Sequence, residues 1–93
     1  MESWVMVTTI HRGVFFGRLV RRTNKRVVLA EARDCLLWST DVKGFLGLAA
    51  IGPTAGCRIG PAVAEFSIPR GDVTSIALCS EQAVAAWKAA PWA

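Results

Sequence analysis

Two β-rich runs separated by three polar residues constrain the fold of this chain most. Residues 14–22 (VFFGRLVRR) and 26–38 flank Thr23-Asn24-Lys25. Asparagine tolerates a left-handed backbone and its neighbours are polar, so the three residues read as a turn and the two runs as a β-hairpin. An earlier run, 3–12, is rich in β-branched residues and reads as a first strand, at an edge or an interface. Further on, 64–68 reads as a short strand, Pro69-Arg70-Gly71-Asp72 as a turn, and 73–79 as a central strand.

Two segments carry a helical pattern. Residues 44–51 place apolar side chains at 45, 46, 48, 49 and 51, which suits a short buried helix opening just after Lys43. At the C-terminus, Ser80 is a natural N-cap, Glu81 complements the positive helix end, and Lys88 lies in the last turn. Ala83, Val84 and Trp87 dock one face, Pro91 stops the helix, and Trp92 follows as an apolar plug. Residues 52–61, with three glycines and two prolines, read as a loop. The expected fold is a single α+β domain over 1–93. It has a twisted antiparallel sheet of four to five strands, a short helix after Trp38 and a C-terminal helix.

A chain of 93 residues has little interior, yet 53% of it is apolar before its eight glycines are counted. An average soluble domain holds roughly 45–50% with glycine included. Apolar surface that cannot be buried within one copy is expected to lie against another, so a homo-oligomer is the default. No run reaches the length of a membrane span, and Met1-Glu2-Ser3-Trp4 lacks the order of a signal peptide, so a cytoplasmic protein is expected. Cys35, Cys57 and Cys79 are odd in number and lack short spacing, which reads as buried thiols. With a single histidine, His11, far from them, neither a metal nor another cofactor is expected.

Charge and chemistry point to binding. Net charge is +4, and eight of the eleven cations are arginines, whose planar fork suits phosphates and flat rings. Arg18, Arg21, Arg22, Lys25 and Arg26 gather near the hairpin turn. They can reach a phosphate backbone, or they can simply keep a strand end soluble and unpaired. No aromatic follows them toward the turn, which favours the second reading. The glycines at 52 and 56 invite a phosphate-loop reading, which fails because Cys57-Arg58 stands where Lys-Ser/Thr is needed. There is no nucleophile elbow, and Asp34 and Asp41 form a carboxylate pair only if folding joins them, so a non-enzyme is expected. What remains is a site for a planar anion, with Trp38 stacking on a base, Ser39, Thr40 and Lys43 on phosphates, and arginines supplying charge. The candidate ligand-binding residues are Arg12, Phe16, Arg18, Arg33, Trp38, Ser39, Thr40, Lys43 and Arg58. For Trp38 the alternative is a plug at the strand–helix junction.

Several motifs together resemble a family of short phage and prophage proteins. They are His11-Arg12-Gly13-Val14-Phe15-Phe16-Gly17, Ala32-Arg33, Trp38-Ser39, Gly44-Phe45-Leu46-Gly47-Leu48-Ala49, Gly52-Pro53, Ile59-Gly60-Pro61-Ala62, Val73-Thr74, and Cys79-Ser80-Glu81-Gln82-Ala83 through Trp87 to Pro91-Trp92. More distantly, Ala32-Arg33, Trp38 and the C-terminal motif are similar to the phage Thoeris anti-defence sponges, with Leu37 in place of the first aromatic of a pair. That resemblance implies an oligomer in the host-cell cytoplasm that sequesters a cyclic nucleotide or ADP-ribose-type signal without cleaving it. The small anionic nucleotide would lie in a pocket shared between subunits. A basic nucleic-acid-binding module, and a structural oligomeric phage protein with no small ligand, are the alternatives.

Overall fold

A computed structural model describes residues 3–11, 13–38 and 44–91. In chain order the elements are β1 (Trp4–Thr9), β2 (Val14–Arg22), β3 (Arg26–Leu37), α1 (Gly44–Ala50), β4 (Arg58–Ile59), β5 (Val63–Pro69), a 3-10 turn (Arg70–Asp72), β6 (Val73–Leu78) and α2 (Glu81–Ala89). The fold is α+β with two helices and six antiparallel strands among the described residues. The sixth strand is the two-residue β4, inside the span expected to be loop.

The sheet runs β4-β3-β2-β1-β6, with β5 on the same side of β3 as β4 but further toward the hairpin turn. Two expectations are corrected here. β1 is interior, because β6 returns to pair with it, and β6 is the edge that 73–79 was not expected to be. The three-residue turn after β5 ties two distant places together. Arg70 N–H donates to the Lys25 carbonyl at the hairpin turn (2.8 Å), and the Asp72 carbonyl accepts from Ile10 N–H beyond the end of β1 (2.9 Å). So short a connection is possible only because the sheet curls strongly while remaining open.

β1 is buried on both faces and separates two apolar clusters. Val5 and Val7 face the inside of the curl with Val27, Leu29, Ala32 and Ile68. Met6 faces outward with Val14, Phe16, Cys35 and Ile59, under Leu48 and Ala49 of α1 and Ala83 and Trp87 of α2. Phe16 lies between two indoles, 5.3 Å from Trp4 and 4.9 Å from Trp87 between ring centroids. The Trp87 indole N–H donates to the Leu48 carbonyl at 3.1 Å, so the buried ring brings its polar group to a partner. Ser80 caps α2 as expected, accepting from Ala83 N–H (3.0 Å) and donating to the Ala50 carbonyl (2.6 Å).

A bulge decides which way the end of β3 faces. Phe16 pairs with Arg33 and Arg18 with Ala30, so two steps on β2 oppose three on β3. Glu31 has a positive φ of 51°, the left-handed conformation of an extra residue in a strand. Without it, Arg33 would share the face of Val27 and Leu29, since strand side chains alternate. With it, Ala32 stays inside the curl while Arg33 and Cys35 turn toward the helices. Gly17 sits at the same place, where a Cβ would lie 2.9 Å from Leu29 Cβ and 3.1 Å from the Ala30 carbonyl oxygen.

Candidate functional site

The bulge fixes the fate of Arg33. The residue is only 9% exposed. Nε donates to the Gly60 carbonyl (2.8 Å), and Nη1 donates to the carbonyls of Trp87 (2.7 Å) and Ala90 (2.8 Å). The last two belong to the C-terminal turn of α2, whose carbonyls lack partners inside the helix and carry partial negative charge. Arg33 thus caps α2 and ties it to the chain entering β5. That geometry turns two of its nitrogens inward and corrects the expectation that it reaches a ligand. Phe16 is corrected likewise: it is 1% exposed, with both ring faces covered by indoles.

The remaining candidates divide. Arg12, Ser39, Thr40 and Lys43 lie outside the described residues. Arg18 is part-exposed on β2, its Nε 3.5 Å from Glu31 Oε2, away from the others. Trp38 and Arg58 do come together in register. β4 pairs Leu37 with Arg58, so the cation lies across from the residue preceding the indole. Trp38 is 40% exposed, and Leu36 and Leu37 beside it are more so. The strand end is therefore an apolar rim with one arginine. Asp41, the proposed partner of Asp34, also lies outside the described residues.

The hairpin turn gathers more charge than its own sequence holds. Arg21, Arg22, Lys25 and Arg26 are exposed there, and the 3-10 turn brings the backbone of Arg70 against Lys25. Arg26 Nη1 donates to the Ser67 hydroxyl at 3.0 Å, which holds one cation in place. Arg70 Nη1 is buried without an acceptor among the described residues. None of the five has a carboxylate partner there; the nearest acid in sequence, Asp72, lies 3.8 Å from His11 Nε2. Sequence reasoning missed Arg70. No local signal joins it to a turn 45 residues earlier; only the curl of the sheet does.

A cavity of about 240 Å³ opens where β5 parts from β3, lined by Phe15, Ala32, Arg33, Asp34, Pro61, Val63 and Phe66. Phe15 and Phe66 meet at its wall with ring centroids 4.7 Å apart. It is apolar, smaller than the range of about 300–1,000 Å³ usual for ligand pockets, and its one free-facing charge is a carboxylate, which opposes an anion. Among the described residues no cluster of histidine, cysteine and acidic groups could hold a metal ion. No helix among them is long and apolar enough to cross a membrane. Burial pushes the thiols of Cys35 and Cys79 up to about 11, assisted for Cys35 by the nearby Cys57. A thiol so shifted is a poor nucleophile at neutral pH.

Residues 2–87 match the family model described as "Domain of unknown function (DUF6948)". The chain belongs to this family. The match covers both core clusters, the hairpin cations, Arg33 and most of α2, and assigns none of them a ligand. No curated protein matches the chain.

Proposed function

We propose that this DUF6948 domain is a non-catalytic binding module for a phosphate-bearing polymer, a nucleic acid held by its backbone. The observation that carries the reading is the backbone hydrogen bond that sets Arg70 beside the hairpin turn, so that five cations without a carboxylate partner among the described residues stand on two adjoining turns from distant segments. Charges that serve solubility need no such assembly. A buried guanidinium nitrogen without an acceptor also favours an arriving anionic oxygen, because an unsatisfied buried donor is costly. Backbone contacts of this kind give affinity without sequence preference.

The test is anisotropy of a labelled duplex with the full chain between 50 and 200 mM salt. Five phosphate contacts give a slope of about −4.5 in log K against log salt, and each of Arg21→Ala and Arg70→Ala makes it shallower by about 0.9. Absence of binding at 50 mM salt, or binding that salt leaves unchanged, overturns the reading.

A second reading is favoured by Trp38 beside Arg58, with exposed leucines around them. Here a phage-encoded sponge holds a cyclic nucleotide or ADP-ribose-type signal at that rim, in a cavity shared between cytoplasmic copies. Native mass spectrometry of purified protein would show intact nucleotide released on denaturation. A hydrolysed product would instead make the protein an enzyme.

A further inference from the structure

The cavity where β5 parts from β3 carries a charge that the nucleic-acid reading leaves unused. β2 pairs Phe15 with Asp34, so the ring and the carboxylate stand side by side on the inner face of the curl. Both residues are part-exposed, as is Phe66, whose ring meets that of Phe15 at 4.7 Å between centroids. A side chain at Gly60 would overlap the Asp34 carboxylate, which therefore rests against bare backbone on one side. The Gly60 N–H does not serve it, because that group donates to the Asp34 carbonyl (2.9 Å). No cation among the described residues pairs with the carboxylate. Arg33 is the one cation in the described lining, and its Nε and Nη1 are engaged by the carbonyls of Gly60, Trp87 and Ala90 on the helix side of β3.

We propose that this cavity binds a small organic cation, an alkylated ammonium head held between Asp34 and the Phe15 and Phe66 rings. The lining selects that class. One carboxylate balances one positive charge, and an aromatic face attracts a cation without offering it a hydrogen bond. A metal ion or an unsubstituted ammonium would exchange its water for a single carboxylate among apolar walls, which is costly. An ammonium whose hydrogens are replaced by methyl groups has little hydration to lose and apolar surface to bury. A volume of about 240 Å³, below the usual range for a drug-sized ligand, suits a head group of this kind.

Titration of the full chain with choline, followed by amide chemical shifts in NMR, tests the site. The comparison ligand is the neutral alcohol in which carbon replaces the choline nitrogen, equal in shape and without the charge. Choline is expected to bind at millimolar concentration and to shift the amides around Phe15, Asp34 and Phe66. The neutral alcohol should bind at least about tenfold more weakly. Asp34→Asn, which keeps the shape and removes the charge, should weaken choline at least about tenfold, and Phe66→Leu about fivefold. Circular dichroism confirms that each variant is folded, and if Phe66→Leu is not, Asp34→Asn and the neutral alcohol still decide. No shifts with millimolar choline, equal binding of the neutral alcohol, or a folded Asp34→Asn that binds like wild type overturns the proposal. Asp34 lies near the end of β3 far from Arg26 and the hairpin turn, so nucleic-acid binding can fail while choline binds, and the reverse.

Discussion

Replacing Arg33 separates a structural cation from a ligand-binding one. The side chain holds three carbonyls, of Gly60, Trp87 and Ala90, from a position 9% exposed. Hydrogen bonds from a charged group contribute about 1.5–3 kcal/mol each, and removing one member of a buried charged network costs about 3–5 kcal/mol. Methionine fills a similar volume but donates nothing, so Arg33→Met leaves the Gly60 carbonyl and the end of α2 without partners. Against a total stability of about 5–15 kcal/mol, that is a large fraction. In a domain of this size each kcal/mol moves the melting temperature about 4–8 °C, so Arg33→Met should melt at least about 12 °C lower. Arg33→Lys keeps the charge but not the fork that reaches Gly60 and α2 together, so a loss of about half that size is expected.

The assay is thermal and urea denaturation followed by circular dichroism, with the two variants beside the wild type. The reasoning is refuted if Arg33→Met melts within about 3 °C of wild type. That result would mean that the three carbonyls do without the guanidinium and that it is free for other work.

Other substitutions read the rest of the frame. Ser80→Ala removes the acceptor of Ala83 N–H and the donor to the Ala50 carbonyl, and should cost about 1–2 kcal/mol in urea denaturation. Gly52 has φ of 81°, and a Cβ there would lie 2.5 Å from Ala86 Cβ, so Gly52→Ala should cost at least about 2 kcal/mol and loosen α2. The thiols of Cys35 and Cys79 stay protonated up to about 11 in the folded chain but ionise from the ordinary 9.0 once unfolded. Stability should therefore be level in this respect below pH 9 and fall as pH rises from about 9 to 11. Replacing both cysteines with alanine should remove that slope from denaturation curves taken across the range.

The sequence reading placed the hairpin well because its signals are local. β2 ends where the β-rich run ends, and the polar turn at 23–25 is followed by β3 at Arg26. Ser80 capped α2 for the same reason. What stayed hidden depends on contacts between distant segments. Nothing in 26–37 marks Glu31 as the extra residue of a bulge, so Arg33 read as a strand arginine available to a ligand. The order of strands was hidden as well. β1 has the apolar content of either an edge at an interface or an interior strand, and only the return of β6 decides between them. Arg70 looked like an ordinary turn cation, since its place beside Lys25 follows from the curl.

The same two features bear on what the arginines are for. Counting cations treats all eleven alike, whereas the bulge removes Arg33 from the surface and the 3-10 turn adds Arg70 to a group already present at the hairpin. The effect is to draw positive charge away from the neighbourhood of Trp38, where Arg58 is the described cation, and to concentrate it at the hairpin turn. A small nucleotide needs a few cations converging on an enclosed volume. A polymer needs several along an open surface. Five exposed or part-buried cations on two adjoining turns, with the cavity between β3 and β5 apolar and bordered by the Asp34 carboxylate, match the second requirement.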